Sequence, residues 1–314
     1  MSIGIFITSI LAIAGTTILL VAIHLWRERN RGLFSPFTED MLRPPGYSLR
    51  NKIDDLWIDF YGSFTAIVII AVFWFHSVVH SKSFLAALLP SVVYVIALFY
   101  LFRRTLNQLE TLQNYRLGLS GEEYVGQELN RLMLKGARVF HDFDYEYKRG
   151  NIDHLIVAPG GIIVVETKAY RKPQKHSGAD SALAKVEYDG NSLKFPKFTS
   201  KKPVNQASSH AKHISSLVRE QCDVDFPVTA VVCLPGWFVQ PKPSQQPYSV
   251  KVINPKGNGI EYFNPMVNSE NPHPQFAKVL KHIEGLARSV PLQKKPTDAN
   301  AAKHFDFWLR PKSE

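Results

Sequence analysis

The hydrophobic pattern divides the chain into two regimes. Ser2 to Trp26 and Phe60 to Ser81 contain no Asp, Glu, Lys or Arg, and a third apolar block runs from Ser83 to Phe102. Each is about 20 residues or longer, enough to cross a ~30 Å hydrocarbon core at ~1.5 Å rise per residue. The pattern predicts three transmembrane helices in a membrane domain over residues 1–102. The first block lacks a basic leading region and is too long for a cleavable signal peptide.

Beyond residue 102 the apolar positions become periodic and short. Leu106, Leu109, Leu112 and Tyr115 recur at helical spacing, which predicts a juxtamembrane helix over 103–117 that Gly118 interrupts. Ser120-Gly121-Glu122-Glu123 then reads as a capping box, with Ser120 as N-cap and Glu123 at N3, opening a helix that Gly136 stops. On that helix Val125, Leu129, Leu132 and Met133 form the apolar stripe. Glu122 shares the inward face, whereas Glu123 goes with the wetter one. A strand is expected over Arg138–Phe143, followed by IDHLIVAPGGIIVVETKAY at 152–170, two β-branched runs about Pro159-Gly160-Gly161.

A long Lys-, Ser- and Gly-rich excursion covers 171–202, with a small hairpin near 184–195 turning at Asp189-Gly190. A helix from Pro203 to about Arg219, strands at 228–234 and 249–254, and a helix over 274–289 complete a domain spanning 118–290. The tail, 291–314, is basic and reads as disordered. This order describes an α/β domain, a mixed sheet flanked by helices.

Charge adds orientation. Arg27, Arg29, Arg31, Arg43, Arg50 and Lys52 lie between the first two blocks, Lys82 alone lies between the second and third, and Arg103 and Arg104 follow the third. That asymmetry places the N-terminus outside and both the 27–59 loop and the whole domain after 103 in the cytoplasm, as expected for a bacterial inner-membrane protein. Of 37 Lys/Arg and 27 Asp/Glu, seven and six fall in residues 1–102, which leaves 30 against 21 beyond it. Such a balance suits an anionic partner, either nucleic acid or the lipid bilayer surface, though basic segments also serve merely to fix topology. The two cysteines, Cys222 and Cys233, form no CxxC and argue against structural zinc or a disulfide framework.

The candidate chemistry lies on the 152–170 hairpin. Folded about Gly160, it brings Asp153 beside Thr167, while Glu166 and Lys168, two apart, share one face. Charged groups at the end of a buried hairpin must pair or hold a metal. Asp153 and Glu166 can grip a hard divalent cation such as Mg²⁺ (or Mn²⁺) with the Thr167 carbonyl as third ligand. Lys168 can then orient water or stabilise a pentacoordinate phosphorus. Glu122 and Gln206 are placed to assist, one through a water and the other by a hydrogen bond. A buried ion cluster that only fixes strand register is the competing reading. A second Glu-x-Lys, Glu146-Tyr147-Lys148, sits among charged neighbours and reads as a solvated turn. His154 alternates to the face opposite Asp153, and His210 and His213 read as polar residues of a helix face.

Taken jointly, Ser-Gly-Glu122, Ile-Asp153-His, Val-Glu166-Thr-Lys168 and Pro203-Val-Asn-Gln206 resemble the nuclease-related domain (NERD) family, a branch of the PD-(D/E)xK nuclease superfamily. The resemblance covers roughly 118–290. It implies a restriction-endonuclease-like core and Mg²⁺-dependent cleavage of DNA. Asp153 and Glu166 would be metal ligands, Lys168 the catalytic lysine, and Glu122 and Gln206 accessory residues. Gln206-x-x-x-His210 is similar to the Gln-x-x-x-Tyr element of RecB-like nucleases, with His in place of Tyr. Nucleases of this superfamily often pair up to cut two strands, so a homo-oligomer is a further expected partner. The expectation is a membrane-anchored cytoplasmic DNA nuclease. A non-catalytic membrane tether for nucleic acid and a membrane scaffold binding protein are the alternatives.

Overall fold

The computed structural model describes residues 41–144, 150–172, 185–244 and 247–290, together with Ile23. The first apolar block, the Glu146-Tyr147-Lys148 copy and the tail 291–314 lie outside the described residues. In chain order the elements are β1 (Met41–Leu42), α1 (Tyr47–Val79), α2 (Phe84–Asn130), β2 (Arg138–Phe143), β3 (Ile152–Ala158), β4 (Gly161–Thr167), β5 (Lys185–Tyr188), β6 (Leu193–Lys194), β7 (Thr199–Ser200), α3 (Lys202–Cys222), β8 (Val228–Cys233), β9 (Phe238–Pro241), β10 (Val250–Ile253), α4 (Asn264–Val267), α5 (Phe276–Ala287) and β11 (Arg288–Val290). The described residues fall into two compact units. One holds 56–110, and the other joins 41–55 to Thr111–Val290.

Helices α1 and α2 carry the second and third apolar blocks. Both are long and apolar enough to cross a membrane, so the described residues contain two candidate spans where the pattern predicted three. Phe64, Phe73, Phe84 and Ile96 are all more than half exposed along them, an arrangement that water disfavours and hydrocarbon does not. Trp74 stacks on Tyr94 at 4.7 Å and donates from Nε1 to Ser91 Oγ at 3.0 Å, tying the two helices together.

Two expectations about the region after 102 fail. Gly118 does not interrupt a helix, and Ser120 caps none: α2 runs unbroken from Phe84 to Asn130 and passes into a 3₁₀ turn that Gly136 ends in a left-handed conformation. Glycine costs about 1 kcal/mol in a helix interior, and tertiary packing outweighs that here. A Cβ at Gly118 would stand 3.2 Å from Leu49, and one at Gly121 would stand 2.7 Å from the Ala169 Cβ. The small residues let α2 press against its neighbours. Glu123, freed from capping, pairs with Arg50. Met133 also departs from expectation: it is exposed, while Val125, Leu129 and Leu132 are buried.

The main sheet has five strands in the order β10-β8-β4-β3-β2. β2, β3 and β4 form an antiparallel meander, and β4, β8 and β10 run parallel. This is the mixed sheet the element order suggested. β4 is buried along its whole length, as its continuous β-branched run requires. One face packs Leu155, Val157, Ile162 and Val164 against Ile214 and Val218 of α3 and Val279 and Ile283 of α5. The other packs Ile156, Ile163 and Val165 against Val125 and Leu129 of α2. A four-stranded sheet, β7-β6-β5-β9, covers Val204 and Ala207 of α3 with Val186, Leu193 and Phe195.

The hairpin pivots between Pro159 and Gly160, pairing Ala158 with Gly161 and His154 with Val165. Gly160 N–H donates to Met266 O at 2.9 Å, and a Cβ there would meet the same oxygen at 2.8 Å, so the turn has no room for a side chain. Continued one step, this register sets Asp153 opposite Glu166, not opposite Thr167 as a turn centred on Gly160 implied. The shift favours a shared site, because directly opposed residues project from the same face of a sheet.

Candidate active site at the end of the central hairpin

Strand alternation places Asp153 and Glu166 on the α3 face, in line with Leu155 and Val164. Glu166 is fully buried and Asp153 half-buried. Asp153 is fixed by an unexpected partner: the Thr167 N–H donates to its Oδ2 at 2.6 Å. Lys168 continues β4, donating its own N–H to Cys233 O at 3.0 Å, and turns its Nζ to within 2.5 Å of Glu166 Oε1.

Among the described residues the second Glu166 oxygen, Oε2, accepts no hydrogen bond, and His210 Nδ1 stands 3.7 Å from it. Thr167 Oγ1 and Gln206 Oε1 are also buried polar atoms without a hydrogen-bond partner among the described residues. Buried carbonyl, hydroxyl and carboxylate oxygens normally find donors. The polar atoms gathered here are short of positive charge.

Helix α3 supplies the second wall. Lys202 acts electrostatically on Glu166, and His210 lies within 3.7 Å of it. Gln206 falls midway between them at i+4 and i−4, hence on the same stripe of the helix. Helix α2 supplies Glu122, only 8 % exposed. Gly121 makes that approach possible: its bare Cα faces Ala169 and the Thr167 methyl, which brings α2 onto the end of β4.

The titration behaviour follows from burial. Desolvation, then Glu166 and Glu122, hold the Asp153 carboxyl well above its ordinary value, against Lys168 and the Thr167 N–H. Burial also raises Glu166, opposed by Lys168 and Lys202. Glu122 is pushed up to about 7 by desolvation and then by Asp142, with Lys168 pulling the other way. Burial works to lower Lys168, but Glu166 and Asp153 outweigh it and hold the ammonium charged. Among the described residues, no group of three or more His, Cys, Asp and Glu side chains is disposed to hold a metal by itself. The residues that could take part in holding a hard cation are the pair Asp153 and Glu166, with backbone and water oxygens as further ligands.

His154 falls where the alternation put it, whereas His210, read from sequence as a polar helix-face residue, is buried beside Glu166. His154 lies on the opposite face, its Nδ1 2.9 Å from His141 Nδ1, while His141 Nε2 meets Asn130 Oδ1 at 3.0 Å. Burial keeps both neutral, His141 at about 4. His210 is likewise lowered, by burial first and then by His213 and Lys168. Lys202 and Tyr170 were not singled out from sequence, and Asp142, one of the charged neighbours read as part of a solvated edge or turn, is buried instead. Tyr170 carried a usable signal, since it lies two residues beyond Lys168 as Lys168 lies two beyond Glu166. Asp142 carried none, because its role depends on Ser48, 94 positions away.

An α/β domain with acidic side chains and a lysine gathered where a central strand ends is the class these elements define. The family model described as nuclease-related domain (NERD) matches residues 117–235, which contain Glu122, Asp153, Glu166, Thr167, Lys168 and Gln206. Residues 117–235 thus match a nuclease-related domain, with which a restriction-endonuclease-like fold is consistent. Neither a curated protein nor a solved structure matches the chain.

Proposed function

We propose that the chain is a membrane-anchored, divalent-metal-dependent nuclease that hydrolyses phosphodiester bonds of DNA on the cytoplasmic side. The observation that carries this reading is the buried Glu166 carboxylate, with one oxygen against Lys168 and the other accepting no hydrogen bond among the described residues, one step along the hairpin register from the His154–Val165 pair and so opposite Asp153. Asp153, Glu166 and the Thr167 carbonyl would hold Mg²⁺ or Mn²⁺. The ion would supply a water of lowered pKa and positive charge for the phosphate.

The chain's own residues do the rest. Lys168, kept protonated by its acidic neighbours, offers an ammonium to the non-bridging oxygen on which charge develops. Glu122, near half-protonation at neutral pH, can take a proton from the attacking water. Gln206 presents an amide to orient water or the nucleic-acid backbone. The closed hairpin face, built of Leu155, Val157 and Val164, excludes bulk water from one side.

The test is plasmid cleavage by the full chain in detergent micelles, since residues 41–55 belong to the same compact unit as the site. Cleavage should require Mg²⁺ or Mn²⁺ and fall roughly 10²-fold or more in both Asp153→Ala and Lys168→Ala. Cleavage that persists unchanged in both variants overturns the proposal.

A further inference from the structure

Beside the site lies a strip of unusual composition. Between Asp189 and Glu220 the chain contains no Asp or Glu, but it contains Lys194, Lys197, Lys201, Lys202, Lys212 and Arg219. The first part of that run forms β6, β7 and the loop between them. Here Phe198 leaves 42 % of its surface exposed, although its ring is held firmly. It stacks on Phe195 at 4.5 Å with 17° between the planes. Tyr170 meets both rings edge-on at 4.8 and 5.2 Å. Phe195 in turn rests on the buried Trp237 at 4.9 Å, whose Nε1 donates to Tyr170 O at 3.3 Å. An exposed ring thus stands on a fixed aromatic base.

Two contacts attach this shelf to the site. The Tyr170 hydroxyl is hydrogen-bonded to Ser200 and lies in the field of Lys168 and Glu166. Lys202, adjacent to the exposed Lys201, acts on Glu166.

We infer that the shelf takes the unpaired nucleotides of single-stranded or frayed DNA, with a base on Phe198 and phosphates against Lys197 and Lys201. The inference rests on the nuclease reading and names its substrate class. A planar, rigidly backed ring accepts any base, because every base has a π-face, and lysines alongside it follow the phosphates without reading sequence. Bases within a duplex are stacked on one another and have no free face to offer. An anionic lipid surface would engage the lysines and take up the exposed Phe198 edge, but it has no use for a ring backed rigidly by Phe195, Tyr170 and Trp237, and vesicle binding is therefore one arm of the test.

The experiment measures binding by the full chain in detergent micelles with EDTA, so that no cleavage intervenes. The probes are a short labelled oligothymidine, a duplex of equal length, and an abasic oligomer with the same phosphates. Oligothymidine should bind more tightly than either. Phe198→Ala should weaken it roughly tenfold, leave the abasic oligomer unchanged, and be rescued by Phe198→Trp. Because the readout is a ratio of two probes on one variant, a lower folded fraction cannot mimic it. Equal binding of abasic and base-bearing probes overturns the inference. So does an unchanged ratio in Phe198→Ala, or an equal loss of binding to vesicles of anionic lipid. Metal-dependent cleavage sensitive to Asp153→Ala would survive any of these failures, which separates the shelf from the reaction itself.

Discussion

Glu122 offers the sharpest quantitative consequence of the site. Its carboxyl titrates at about 7 in the folded protein against an ordinary value of 4.5, with burial the largest cause and Asp142 the next. A raised carboxyl pKa means that the folded state holds the proton more tightly than the unfolded chain. Below about pH 4.5 both states are protonated and nothing is lost. Between there and pH 7 the unfolded state ionises first, and the folded state loses stability with each step upward. Above 7 the loss is complete. About 2.5 pH units at ~1.36 kcal/mol each comes to about 3 kcal/mol. Glu122→Gln removes the charge and keeps the shape. It should therefore gain up to about 3 kcal/mol over the native chain at pH 8 and almost nothing at pH 4.5. For a domain of this size that corresponds to roughly 6–12 °C in the melting temperature. Thermal unfolding of both chains in micelles across pH 4.5–8, followed by tryptophan fluorescence, reads the difference directly. A gap that stays constant across that range would refute the reasoning, because a purely steric benefit of Gln has no pH dependence.

Two further outcomes follow from the packing around Glu122. Gly121→Ala adds a methyl 2.7 Å from the Ala169 Cβ, so it should cost about 1–3 kcal/mol in thermal or denaturant unfolding and reduce cleavage beyond what the lost folded fraction explains. Asp142, 3 % exposed, accepts hydrogen bonds from Ser48 N and Oγ, each at 2.8 Å, and from Asn151 at 2.9 Å. Asp142→Asn should destabilise by about 2 kcal/mol and move the midpoint of the pH-dependent stability loss below 7, since it removes the charge that helps to raise Glu122.

What the sequence made legible follows from how local each signal was. The β3–β4 hairpin was readable because β-branched runs and Pro-Gly act over a few residues, and for the same reason β2 emerged with its expected bounds and β8 and α3 within three positions of theirs. Asp153, Glu166 and Lys168 could be placed together because period-2 alternation converts spacing into direction. The failures arose where distant packing decided the outcome. Gly118 and Ser120 carry the local marks of a helix break, yet Leu49 and Ala169, on other elements, stabilise a continuous helix there. The one-residue register error came from the turn, whose centre depends on the Met266 carbonyl more than a hundred positions away. Residues 41–55 offered no local sign that they belong with the site's own unit; Arg43 reaches Asp144 at 3.1 Å and Ser48 reaches Asp142 only in the folded chain.

The charge balance is the argument for the proposed cation site over a structural ion cluster. A cluster that merely fixes register gains by matching its charges, since each unmatched buried charge is costly. Here Glu122, Asp153 and Glu166 face Lys168, with Lys202 at a greater remove, and all three carboxyls are pushed upward in pKa. Left alone, such a site neutralises itself by retaining protons near neutral pH. It would do so at the expense of stability whenever the pH rises. A Gln or Asn at any one of these positions would reduce that penalty, as would hydrophobic residues on a hairpin otherwise composed of them. The excess negative charge is thus a defect for folding, and under the proposed function a divalent ion at Asp153 and Glu166 would offset it, leaving Lys168 for the phosphate.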